Sequence, residues 1–141
     1  MVYHNGMKVY RYLGARELGE ILAGNNSKIG SFFSRKVFRW ANSHRYKKDV
    51  KYLHFFQKKE DIEKIKRVHA KVDTDFYVCE FDIPKKAMKK GVGRYDDPDG
   101  YEYYVEKAIE YIVPSQNFDC GWLQSYELDQ NHKTTETERS K

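Results

Sequence analysis

Apolar and polar residues alternate in five stretches of the chain, which is the pattern of strands that bury one face. The predicted strands cover residues 7–13, 50–56, 76–83, 110–113 and 123–128. In the third, every second residue from Tyr77 to Ile83 is apolar, and Cys79 falls in this core phase. Pro114 ends the fourth strand, because proline lacks the amide proton that a strand ladder uses.

A helical spacing of apolar residues predicts three further segments, over residues 15–23, 59–69 and 84–91. Gly24 stands where a glycine commonly ends a helix, and Pro84 suits a first helical turn. Because strands outnumber helices, the pattern predicts one α+β domain over residues 1–128, with a mixed or antiparallel twisted sheet and a few short helices. Residues 129–141 are polar and without periodicity, which predicts a disordered C-terminal tail.

The composition is typical of a soluble intracellular protein, and we expect a cytoplasmic location. No apolar run approaches the roughly 18 residues that cross a membrane, and the first residues lack the apolar stretch of a signal peptide. Cys79 and Cys120 form no close pair in the sequence, so both thiols are expected to stay reduced. The five histidines show no metal-ligand spacing, and no metal site is expected.

Charge is distributed unevenly along the chain. Residues 1–71 contain 17 Lys/Arg against 6 Asp/Glu, whereas residues 72–141 contain 9 against 15. Such asymmetry favours a basic face that binds a polyanion, such as nucleotide phosphates, nucleic acid or an acidic partner protein. The alternative is that the two halves interleave in the fold and neutralise each other.

A basic and aromatic run over residues 32–51 is the candidate for such a face. Its candidate binding residues are Arg35, Lys36, Arg39, Trp40 and Arg45. Cations contact phosphates and rings stack on bases, so the run predicts binding of nucleic acid or an acidic protein, as in a phage or mobile-element regulator or inhibitor. The alternative is that the rings belong to the core and the charges are solvated.

Two charged residues fall on inward positions of predicted strands. Arg11 shares a phase with Val9 and Leu13, and Glu110 shares one with Ile112. A buried charge needs a partner of opposite sign, because an isolated one is strongly destabilising. Arg11 is therefore expected to meet either a carboxylate or a bound phosphate. One simple hypothesis is that Arg11 and Glu110 pair with each other.

These residues also carry a resemblance to a known family. The opening KVYRYLGARELGEILAG resembles the first strand and helix of ADP-ribosyltransferases, and EYIVP is similar to their last catalytic strand. Between them, VKYLHFF and the helix after it resemble the family's middle motif. The similarity runs over residues 7–128 and implies the split sheet of that fold, with NAD as cosubstrate.

The resemblance implies a role for each matching residue. Arg11, with Tyr12, would bind the phosphates or the nicotinamide ribose of NAD. Glu110 would bind the ribose 2′-hydroxyl and stabilise the oxocarbenium-like transition state as nicotinamide leaves. Tyr52 would stack on the nicotinamide ring, and either Tyr52 or His54 would fill the middle motif, with His54 a candidate catalytic residue.

Overall fold

The computed structural model describes residues 5–26, 52–66, 74–91, 94–96, 102–104 and 108–130. Eight strands lie within these ranges: β1 (Gly6–Gly14), β2 (Tyr52–Phe56), β3 (Phe76–Pro84), β4 (Lys89–Lys90), β5 (Arg94–Asp96), β6 (Glu102–Tyr104), β7 (Glu110–Pro114) and β8 (Leu123–Leu128). One α-helix, α1 (Ala15–Leu22), follows β1. Four 3-10 segments complete this part of the chain: Lys59–Lys64, Lys85–Ala87, Ser115–Asn117 and Cys120–Trp122.

Six strands form one antiparallel sheet in the order β4-β7-β2-β1-β3-β8, and β5 pairs with β6 in a separate hairpin. The predicted α+β class, with a sheet core and few short helices, is confirmed. All five predicted strands are present in the sheet. β1 and β2 are central in the sheet, and all five residues of β2 are buried.

The first helix has the predicted length and ending. Leu18 and Ile21 are buried on its inner side. Gly24 has a φ of 76°, the left-handed conformation that favours glycine. The amide of Gly24 bonds the carbonyl of Ile21, and the amide of Asn25 bonds that of Glu20, which satisfies the last helical carbonyls.

The sheet has two differently covered faces, which are called the helix face and the Glu110 face below. On the helix face, α1 packs on Val9, Leu13 and the other residues of the larger core cluster, which includes Cys79 and Phe81. On the Glu110 face, the 3-10 segment Lys59–Lys64 and the residue after it cover a smaller cluster. That cluster consists of Tyr12, Phe56, Ile62, Ile65 and Phe76.

Three sequence predictions require correction or restriction. The segment predicted as a helix over 59–69 forms a 3-10 turn over Lys59–Lys64, and residues 67–69 lie outside the described ranges. The segment over 84–91 is not one helix, because Pro84 ends β3 and β4 pairs with β7 after a single 3-10 turn. The predicted tail begins with an anchored residue, since the amide of Asp129 donates to the carbonyl of Phe76; residues 131–141 are outside the description.

Candidate active site

Arg11 lies on the helix face and is fully engaged with the protein. Its guanidinium donates to Glu17 at 3.0, 3.1 and 3.3 Å, and its Nη1 donates to the main-chain oxygen of His54 at 3.0 Å. The Arg11 and Glu17 side chains are only 6% and 8% exposed. The hypothesis that Arg11 pairs with Glu110 is therefore wrong, because Glu17 supplies the carboxylate.

Arg11 and Glu17 are close in the sequence, and the order of β1 and α1 brings them together. α1 begins directly after β1, so Glu17 in its first turn is brought back over Arg11. The carboxylate also lies at the positive end of the helix dipole. Burial raises the pKa of the Glu17 carboxyl, and the charge of Arg11 opposes part of that rise. The guanidinium ties β1, α1 and β2 together at the centre of the sheet.

His54 and Glu110 meet on the opposite face. The Nδ1 atom of His54 lies 3.3 Å from Oε1 of Glu110, with side-chain exposures of 5% and 0%. The register explains the contact, because His54 pairs with Ile112 and Phe56 with Glu110 on adjacent antiparallel strands. His54 and Glu110 are thus diagonal neighbours on one face, and long side chains can meet across that distance.

Gly91 closes over the Glu110 carboxylate. Its amide donates to the main-chain oxygen of Glu110 at 2.9 Å. A methyl group at this position would overlap Oε1 of Glu110 and would lie 2.9 Å from Cδ of the same residue. It would also lie 3.1 Å from Cγ2 of Ile112. The absence of a side chain at Gly91 therefore leaves room for the carboxylate in its present position.

Both predicted cofactor tyrosines also lie on the Glu110 face. Tyr52 is two residues before His54 on β2 and is 2% exposed. Tyr12 lies in the smaller core cluster, and its hydroxyl donates to Asp129 Oδ2 at 2.6 Å. Burial, followed by the hydrogen bond to Asp129, raises the pKa of the Tyr12 phenol. The structure thus gathers Tyr12, Tyr52, His54 and Glu110 on one face and separates Arg11 from them.

A cavity of about 300 Å³ borders Tyr52. It is lined by Tyr52, Lys86, Ala87, Met88, Lys89, Pro114, Gln116 and Asn117. The ammonium of Lys89 lies 5.4 Å from the centre of the Tyr52 ring. The volume is at the lower end of the range for small-molecule sites.

The other candidate binding residues lie outside the description. Arg35, Lys36, Arg39, Trp40 and Arg45 all belong to residues 27–51, so a nucleic-acid or acidic-partner surface there stays a prediction. Within the described ranges, no group of three His, Cys, Asp or Glu side chains is placed to hold a metal ion. In the same part of the chain, no helix is long and apolar enough to cross a membrane.

Sequence reasoning missed three residues that contact the predicted site residues, namely Glu17, Gly91 and Lys89. Glu17 could have been found, because it is the first carboxylate after Arg11 and lies in the first turn of the following helix. Gly91 and Lys89 gave no usable signal, because β4 is too short for a period-two pattern.

Comparison with known protein families, with curated proteins and with solved structures finds no match. The function of the chain is therefore inferred from its geometry and its chemistry.

Proposed function

We propose that this protein transfers ADP-ribose from NAD to a macromolecular acceptor, a protein or a nucleic acid. The observation that supports this most strongly is the contact of Glu110 with His54, a buried carboxylate beside an imidazole. Tyr52 lies on the same face two residues from His54 and borders a cavity, so an aromatic ring and space for a ligand are near the pair. A carboxylate, a candidate base and an aromatic ring suit the cleavage of a glycosidic bond to a pyridinium ring, from which neutral nicotinamide leaves.

The chemistry assigned to Glu110 is electrostatic. The bond between ribose C1′ and the nicotinamide nitrogen breaks, its electron pair leaves with nicotinamide, and positive charge develops on the ribose. A carboxylate held in a water-poor site stabilises that charge strongly, because the low dielectric strengthens the attraction. The amide of Gly91 bonds the main-chain oxygen of Glu110 and so fixes the part of β7 that carries the carboxylate.

His54 is assigned the acceptor side of the reaction. The nucleophilic atom of the acceptor forms the new bond to C1′, and the proton that it loses passes to the imidazole. Histidine is suited to this role because it exchanges protons near neutral pH. The Arg11 hydrogen bond to the His54 carbonyl fixes the backbone from the other face.

Access to the pair requires movement. Because the Glu110 side chain has no exposure and that of His54 has 5%, a ribose reaches the carboxylate only after the packing above this face has opened. We therefore expect NAD association to be slower than association with a preformed site, because binding that requires a conformational change has a lower association rate.

The role of Arg11 as an NAD ligand stays a prediction and is not used in this proposal. The guanidinium faces away from Glu110 and has Glu17 as its carboxylate partner. In the proposal Arg11 is a positioning residue, which holds the strand that carries His54.

The test is nicotinamide release from NAD by the purified protein, with Glu110→Gln as the decisive variant. We expect activity to fall about 10²–10³-fold, as when a single group that stabilises transition-state charge is removed. Glu127→Gln is the matched control, because Glu127 is an exposed carboxylate on β8 and its loss should leave the rate unchanged. Wild type should also gain thermal stability with millimolar NAD, because the ligand binds the folded state.

Full activity in Glu110→Gln would remove the carboxylate from the mechanism. Wild-type protein that neither releases nicotinamide nor gains stability with NAD or ADP-ribose would overturn the proposal. The basic run over residues 32–51 would then be the hypothesis to test, through binding of nucleic acid that weakens steeply with salt.

A further inference from the structure

The cavity beside Tyr52 has the chemistry of an anion site. Two of its lining residues, Lys86 and Lys89, carry positive charge, and Gln116 and Asn117 contribute side-chain amides that can donate hydrogen bonds. Among the described residues that line it, none is an aspartate or a glutamate. Lysine ammonium groups bind phosphate as compact point charges.

The cavity is also placed beside the candidate catalytic pair. In the pairing of β4 with β7, Lys89 lies opposite Ile112, and the amide of Gly91 bonds the carbonyl of Glu110. Lys89 is therefore two residues along the strand from the level of the carboxylate, a rise of about 7 Å. Tyr52 is likewise two residues from His54 on β2. Lys89 thus lies two residues along the sheet from Glu110, within the span of a single nucleotide.

The orientation of Lys89 is set by its contact with an aromatic ring. Its ammonium lies 5.4 Å from the centre of the Tyr52 ring, within the range of a cation–π interaction. The residue is half-buried, whereas Lys85, Lys86 and Lys90 are exposed. Lys89 is therefore the lysine of this segment whose charge is held in one place.

We propose that the cavity binds the phosphates of a nucleotide whose ribose reaches Glu110. The proposal rests on the proposed function for the identity of that ribose, but the phosphate site itself depends only on Lys86, Lys89 and the amides. It assigns phosphate binding to the cavity beside Tyr52, with Lys89 of β4 and Lys86 before it, instead of to Arg11 on the helix face. The ligand class is a diphosphate-containing nucleotide, with ADP-ribose as its simplest form.

The experiment measures binding of inorganic pyrophosphate and of ADP-ribose to the full chain by calorimetry. Lys89→Met and Lys86→Met are each expected to weaken both affinities roughly tenfold or more, the loss that follows removal of a charged hydrogen-bond partner. Lys85→Met and Lys90→Met are the matched controls, because they remove equal charge from exposed neighbours and should leave both affinities within about twofold. Lys89→Arg should retain most of the affinity.

The outcomes separate this site from the proposed function. If wild type binds no pyrophosphate, or if all four lysine variants lose affinity equally, the phosphate site is wrong. If Lys86→Met and Lys89→Met alone lose pyrophosphate while NAD is never cleaved, the site stands and the proposed function fails. If Glu110→Gln abolishes nicotinamide release and both lysine variants bind pyrophosphate normally, the function stands and this site fails. Lys86 is exposed, so its variant tests the site even if Lys89→Met folds poorly.

Discussion

The two buried polar pairs of this sheet lie back to back and differ in how they are held. Arg11 and Glu17 are six residues apart in the chain and share three hydrogen bonds. His54 and Glu110 come from separate strands, 56 positions apart, and approach to 3.3 Å. A hydrogen bond from Arg11 to the His54 carbonyl connects the two faces.

The difference indicates that the two pairs have different roles. Three hydrogen bonds between Arg11 and Glu17 fix α1 onto β1. The contact of His54 with Glu110 is an ion pair only when the imidazole carries a proton. A pair fixed by several hydrogen bonds suits a structural role, and a pair whose charge is conditional suits one that takes part in chemistry. Each prediction below tests this contrast, beginning with the largest expected effect.

Arg11→Met should destabilise the fold severely. The variant leaves the Glu17 carboxylate buried without its cation, which typically lowers the free energy of unfolding by about 3–5 kcal/mol. Urea denaturation measures the loss. The double variant Arg11→Met/Glu17→Leu should recover most of it, because replacing a whole buried ion pair with apolar side chains is often neutral. A single variant that unfolds within about 1 kcal/mol of wild type would contradict a structural role for the pair.

Gly91→Ala should be less destabilising but should act on the other face. The added methyl overlaps Oε1 of Glu110, so the carboxylate or β4 must shift. We expect a loss of about 1–3 kcal/mol in unfolding free energy. The rate of nicotinamide release should fall by more than the loss of folded protein explains.

Gly19→Ala is the control for that change. Gly19 lies in α1 with no atom within 4 Å of an added methyl, so alanine should stabilise the protein by about 0.5–1 kcal/mol and leave activity unchanged. If Gly91→Ala matches wild type in stability and rate, the carboxylate position is not set by Gly91.

Sequence reasoning predicted the strands and the inward placement of both charged residues, but it failed on how they are paired. Alternation assigns a phase within one strand and carries no information about which face a second strand presents. A shift of one residue in the pairing moves every side chain of a strand to the other face. Whether Arg11 and Glu110 share a face therefore depends on the register of β1 and β7 with β2, which alternation does not give. Gly91 was unpredictable for a different reason, since β4 forms through its pairing with β7 and has no pattern of its own.

The smallest expected effect is a pH dependence carried by the helix face. Cys79 lies opposite Arg11 on β3, and burial raises the pKa of its thiol to about 12, with a smaller contribution from Glu17. An unfolded thiol ionises near pH 8.5, so raising the pH stabilises the unfolded chain first. The contribution of Cys79 to stability is complete below about pH 8.5 and is lost as the pH rises toward the folded value. From pH 7 to pH 9 the loss should be roughly 0.8 kcal/mol.

Urea denaturation under reducing conditions at these two pH values, in a Cys120→Ser background, isolates this effect. Cys120 is removed because burial raises the pKa of its thiol too. Adding Cys79→Val should remove the part of the change in unfolding free energy between pH 7 and pH 9 that Cys79 contributes, since valine fills a similar volume and does not ionise. Glu110→Gln should leave it unchanged, because that carboxylate is on the other face of the sheet. A pH response that follows Glu110 and not Cys79 would contradict the assignment of this pH dependence to the helix face.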